Sequence, residues 1–166
     1  MKVLGISFIT LSSAVVGFQM AAMLRKRCAL MRELDDLLQL LEQEIGTCGT
    51  LLPHAFALLS AATDGIWETV FSGIAKEMDK NRWTTPYEAA QIVLSQVHDR
   101  DISEILLPLM KKMGKYTVEA QTQGIESARL QLRMLLQELE QERKMKSKTF
   151  QTLGICTGLA VAILLI

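Results

Sequence analysis

Prolines, cysteines, histidines and strand-like patterns are all scarce in this chain of 166 residues. Three prolines enforce few breaks, and the sparse β-branched residues show no alternating strand pattern. Leu, Met, Ala, Gln and Glu dominate instead, which favours helix throughout. The three cysteines, Cys28, Cys48 and Cys156, imply no disulfide framework, and each reads as a small buried hydrophobe. The two histidines, His54 and His98, lack ligand-spaced partners and read as loop or helix-end residues. No Gly-x-Ser-x-Gly elbow, phosphate-cradling lysine loop or dinucleotide fingerprint occurs. The chain therefore reads as non-enzymatic, with no metal and no cofactor.

Carboxylates are missing from both ends. All 18 acidic residues lie between Glu33 and Glu142, leaving apolar stretches at Val3–Leu24 and Phe150–Ile166. A helix rises roughly 1.5 Å per residue, so these 22 and 17 residues reach about 33 and 25 Å. The bilayer core is roughly 30 Å thick, which the first stretch crosses easily and the second crosses marginally. Lys146 and Lys148 extend the second by stretching toward lipid headgroups. Residues 1–24 and 150–166 thus read as transmembrane helices flanking a domain at 25–149.

The formal charge is zero, 18 basic against 18 acidic residues, so there is no general attraction to nucleic acid. Its distribution orients the chain. Arg25, Lys26 and Arg27 follow the first stretch, and Arg143, Lys144, Lys146 and Lys148 precede the second. Basic flanks favour the cytoplasmic side, which puts the middle domain in the cytoplasm and both ends outward. The same flanks argue against a removable signal peptide.

Between the anchors the spacing predicts six helices. Leu30, Leu34, Leu37, Leu41 and Cys48, with Leu38 and Ile45, form one stripe on a helix ending near Gly46–Gly49. A second helix runs from about Pro53 to Ala62, and Asp64-Gly65 makes a turn. A third, near Ile66–Lys80, buries Val70 and Ile74, with Phe71 and Met78 as further candidates. Thr85, Pro86 and Glu88 open a fourth that ends near Val97, and Asp101-Ile-Ser-Glu104 opens a fifth kinked at Pro108. The sixth runs from about Thr117 to Thr149, with Ile125, Ala128, Leu132, Leu135 and Leu139 as its seam. First and last helices must be antiparallel, with their leucine stripes as mates. The fold class is all-α: a six-helix cytoplasmic bundle held between two transmembrane helices.

Three groups of residues stand out as functional candidates. Glu44, Trp83 and Gln121 are partner-docking candidates; Trp67 reads as core, whereas an aromatic such as Trp83 can anchor a partner. Ser13, Gly17 and Ala21 on the first span, and Gly154 and Gly158 on the second, form small-residue strips suited to close helix packing in lipid. Glu33, Asp36 and Glu44 approach one helix face, which leaves a cation-dependent membrane enzyme as an alternative; a solvated polar face is the simpler reading.

Several local patterns, in order, resemble the stage III sporulation protein AB family. They are Gly17-Phe18-Gln19 before the basic cluster, the run Leu38–Ile45, Leu52-Pro53, Thr85-Pro86 with Glu88-Ala89, Met113-Gly114 leading to Glu119-Ala-Gln121, and Leu153-Gly154 before the apolar tail. Lys115-Tyr116-Thr117, Cys156 and Thr157 depart from the family pattern. The resemblance implies a helical cytoplasmic domain similar to the inner-membrane platform proteins of type II secretion and type IV pilus machines. It also implies a scaffold subunit of a channel-like complex, in the mother-cell membrane around the forespore. The implied partners are a cytosolic secretion-type ATPase, other membrane subunits and lipid, with a homo-oligomer possible. A membrane-anchored helical adaptor unrelated to sporulation is the remaining alternative.

Overall fold

The computed structural model describes the backbone of residues 2–80, 83–114 and 117–165, and the side chains of Gln19, 22–80, 83–114 and 117–145. Among the described residues there are six helices and no strand: α1 (Lys2–Gly46), α2 (Leu52–Ala61), α3 (Ile66–Lys80), α4 (Pro86–Val97), α5 (Arg100–Lys112) and α6 (Val118–Leu165). The spans at 1–24 and 150–166 lie outside the described side chains, apart from Gln19 and Ala22–Leu24. Among the residues that are described, no helix is long and apolar enough to cross a membrane.

The chain divides into two compact units, Arg32–Met134 and the combined Met1–Met31 and Leu135–Ile166. In the second of these, Cys28, Met31 and Leu139 are buried.

Leucine periodicity explains the core of the Arg32–Met134 unit. Leu34, Leu37, Leu38, Leu41 and Ile45 bury one face of α1, and Ile125, Ala128 and Leu132 bury one face of α6. Between them, Phe56 of α2 stacks on Phe71 of α3 at a centroid separation of 6.2 Å, and Trp67 lies 6.3 Å from the same ring. All three rings are fully buried, and each removes a large apolar area from water. Met78, by contrast, is only half-buried.

Local chemistry sets the ends of the helices. Thr85 and Glu88 form a reciprocal capping box, with Pro86 at the first helical position of α4. The α4 helix stops at His98, whose left-handed φ of 54° turns the chain and whose Nδ1 lies 2.9 Å from the Gln96 carbonyl. The Asp99 side chain then accepts from the Asp101 and Ile102 amides, so α5 starts at Arg100, just ahead of the expected Asp101. A carboxylate two residues upstream can reach those open amides, which fixes the start there. The α5 helix continues through Pro108, which sits on its exposed side.

The α1 stripe ends sooner than its spacing suggests. Past Gly46 the Thr47 and Cys48 amides both return to the Gln43 carbonyl, and Gly49 takes a φ of 63°. The chain thus leaves the helical path, and Cys48 is exposed rather than buried.

Candidate functional site

The helices of this unit alternate in direction, and this brings three connections to one end. Thr63, just past α2, donates through its hydroxyl to the Glu33 carboxylate on α1, so α2 runs back along α1. At the other end, a methyl group on Gly114 would lie 3.3 Å from Leu52 and 3.7 Å from Pro86. The Gly114 φ of 75° also favours a residue without a side chain. The starts of α2 and α4 therefore meet the α5–α6 connection at one junction. The close approach of Gly46 to Thr122, with a would-be Cβ 3.3 Å from the threonine methyl, adds the end of α1.

Three large apolar side chains stand out from this end: Trp83 at 89% exposure, Leu51 at 78% and Val118 at 43%. Leu51 and Trp83 belong to the connections before α2 and α4, Val118 opens α6, and each lies within a few residues of the junction. Glu44 is half-buried, and its carboxylate accepts from the Thr50 hydroxyl at 2.7 Å. Gln121 is half-buried, one position before Thr122. All three docking candidates from the sequence therefore fall on segments that converge here, although Glu44 serves to hold the α1–α2 connection.

A polar seam joins α1 and α6 farther along. Arg129 uses all three guanidinium nitrogens: Nε donates to Asp35 at 2.8 Å, Nη2 to Gln39 at 3.0 Å and Nη1 to Glu42 at 3.2 Å. Arg133 Nε lies 3.6 Å from the other Asp35 oxygen. The hydrogen bond to Asp35 raises the Arg129 pKa most; partial burial opposes it, and Glu42 adds to it. Its cation is thus fixed over the physiological range. The order of partners, with Arg133 and Arg129 on Asp35 and Thr122 beside Gly46, shows α1 and α6 to be antiparallel here. The seam had a readable trace, since Asp35, Gln39 and Glu42 share a helix face and Arg129 and Arg133 stand one turn apart.

A cleft of about 140 Å³ beside the seam is lined by Glu42, Glu126, Arg129, Leu130 and Arg133. That is well below the roughly 300–1,000 Å³ of a ligand pocket. The alternative acidic site does not assemble: Glu33 is engaged by Thr63, Glu44 by Thr50, and Asp36 is exposed. Among the described residues no group of three or more His, Cys, Asp or Glu could hold a metal ion. Of the membrane-flanking cations, Arg25 and Lys26 are exposed and Arg27 is half-buried. Lys146, Lys148 and the small-residue strips at Ser13, Gly17, Ala21, Gly154 and Gly158 lie outside the described side chains.

Known proteins match along the whole chain. A curated relative from Bacillus subtilis (strain 168), stage III sporulation protein AB, is 27% identical over 170 residues, covering 99% of both chains. A solved structure of a protein of that name superposes with a TM-score of 0.63 at 23% identity, over 70% of this chain and 94% of the other. That likeness speaks for the fold. The family pattern of stage III sporulation protein AB matches residues 2–166, and the chain belongs to that family.

Proposed function

We propose that this protein is a non-enzymatic membrane platform subunit of a sporulation channel complex, and that it docks a cytosolic secretion-type ATPase. Its family membership supports a role in sporulation. The observation that carries the docking part is the exposed Trp83, set where three interhelical connections converge with Leu51 and Val118. Tryptophan is enriched among residues that dominate binding energy, and most of the Trp83 surface is open to solvent. The flanking stretches Val3–Leu24 and Phe150–Ile166 anchor the subunit in the mother-cell membrane, with the middle in the cytoplasm. Along α1 and α6, this end lies farthest in sequence from both anchors.

A photoreactive phenylalanine at position 83 of the full-length chain, expressed in sporulating cells, tests the reading. The expected result is a crosslink to the neighbouring ATPase, lost when that protein is deleted. Crosslinks to neither the ATPase nor any other cytosolic protein, with complex assembly unimpaired, would refute docking at this end. Reporter fusions near Asp64 and after Ile166 test the topology, with a cytoplasmic signal expected only from the first.

A further inference from the structure

Among the described helices, α2 alone carries no charged residue along its length, Leu52–Ala61. Every other helix turns at least one charge outward, for example Arg32 on α1, Lys76 on α3, Glu88 on α4, Glu104 on α5 and Glu126 on α6. On α2, Ala55, Phe56 and Leu59 are buried in the core of the unit. The other side holds His54, Ala57, Leu58 and Ala61, all exposed and spaced as i, i+3, i+4 and i+7. Exposed Ala62 continues this face past the helix end. The first charged residues before and after α2, Glu44 and Asp64, lie outside the helix, and Glu44 is turned to Thr50.

A helix that is apolar all round belongs in an interior, covered on both faces. The core of the unit covers one face of α2, so the other calls for an assembly. The absence of charge limits what can cover it. Helices that lie on lipid carry Lys or Arg beside the apolar stripe, and nucleic acid also needs cations; α2 offers neither. Cores of protein interfaces, by contrast, are depleted in charge. In a two-fold contact a patch meets itself, so each charge within it would face its like, and this patch has none. Leu58 stands between Ala57 and Ala61, and a large side chain beside small ones can interlock with the same pattern on a second copy.

We infer that the outer face of α2 is a self-association surface, on which His54, Ala57, Leu58 and Ala61 meet the same face of a second copy. At a length of about 15 Å, this face falls well short of the roughly 800 Å² that each partner gives to a standard interface. Such a contact holds only between copies already concentrated, which anchoring in one membrane supplies. The inference therefore rests on the reading of Val3–Leu24 and Phe150–Ile166 as anchors, and it is independent of docking at Trp83.

Two full-length copies with different affinity tags, co-expressed and each carrying a photoreactive phenylalanine at position 61, provide the test. Membranes are irradiated and solubilised, and one tag is captured. The expected result is a covalent product of twice the monomer mass that carries both tags. Leu58→Glu in both copies, or Leu58→Lys in both, should lower its yield about tenfold, because apolar burial is lost and like charges meet. Leu58→Glu in one copy with Leu58→Lys in the other should restore the product, which also shows that both variants fold. Undiminished product in the like-charged pairs, no restoration in the mixed pair, or crosslinks to lipid or another protein in place of a second copy would overturn the inference. So would an equal yield from the same probe at position 76 on α3, which measures random encounter. The reporter fusions near Asp64 and after Ile166 test anchoring separately, so a lost product with the expected topology removes self-association alone.

Discussion

Arg129 Nε donates to Asp35 across 2.8 Å, linking α6 to α1 between residues 94 positions apart. The same guanidinium reaches Gln39 and Glu42, so one side chain spans about two turns of the facing helix. The Arg129 side chain is only 15% exposed, which limits screening. Replacing it with alanine takes the cation from Glu42 and leaves Asp35 only the longer contact to Arg133. Arg129→Ala should cost about 2–3 kcal/mol, measured as thermal unfolding of the full chain in detergent. Arg129→Lys keeps the charge but cannot span three acceptors, and should cost about 1 kcal/mol. Equal stability of both variants and the parent would show the seam to be incidental.

Gly73 of α3 packs directly against Val93 of α4. A Cβ on Gly73 would sit 3.0 and 3.2 Å from the two Val93 methyls. Alanine gains helix propensity of about 1 kcal/mol over glycine, but the branched Val93 has little rotamer freedom to yield. Overpacking of this kind typically costs about 1–3 kcal/mol, so Gly73→Ala should be net destabilising. In a Val93→Ala background the clash disappears and the same change should become neutral or stabilising. That reversal of sign, read from paired melting curves, is the check.

The helical architecture was legible because the signals behind it are local. Thr85, Pro86 and Glu88 form the capping box their order announces, and Leu34, Leu37, Leu41, Ile125, Ala128 and Leu132 bury the faces their spacing defines. Cys48 shows where periodicity misleads: the stripe continues in sequence after the helix has ended, because the Gly49 turn overrides it. Glu44 was singled out for its charge, yet its carboxylate holds Thr50. The gathering of Leu51, Trp83 and Lys112 at one end could not be read from spacing. It depends on which ends of six helices coincide, and only the long-range contacts of Gly114 reveal that.

Glu119 gives a pH-dependent prediction confined to the start of α6. Its pKa is lowered, first by a hydrogen bond from its own backbone N–H and then by the Thr117 hydroxyl. A folded pKa below the unfolded one means that its contribution is present above the ordinary carboxylate range. The contribution is lost as pH falls through the lowered folded value. The Glu119 carboxyl carbon should therefore titrate below that of an ordinary glutamate by NMR, and protection of the first α6 amides should weaken over the same acid range. In Glu119→Gln those amides should show no such acid dependence.

The two tryptophans should separate stability from recognition. Trp67 is fully enclosed beside Phe71, and removing so large a buried ring creates a cavity. Trp67→Ala should cost about 3–5 kcal/mol, enough to endanger folding of the Arg32–Met134 unit. Trp67→Phe keeps much of the volume and should cost less. Trp83→Ala, at a site 89% exposed, should change stability by no more than about 0.5 kcal/mol. It should nonetheless remove most of the fluorescence accessible to acrylamide and abolish sporulation if the docking reading is right. Normal spore counts from a strain carrying only Trp83→Ala, with the protein at its usual level, would separate this ring from function, because a hot-spot aromatic cannot be lost without a large fall in affinity.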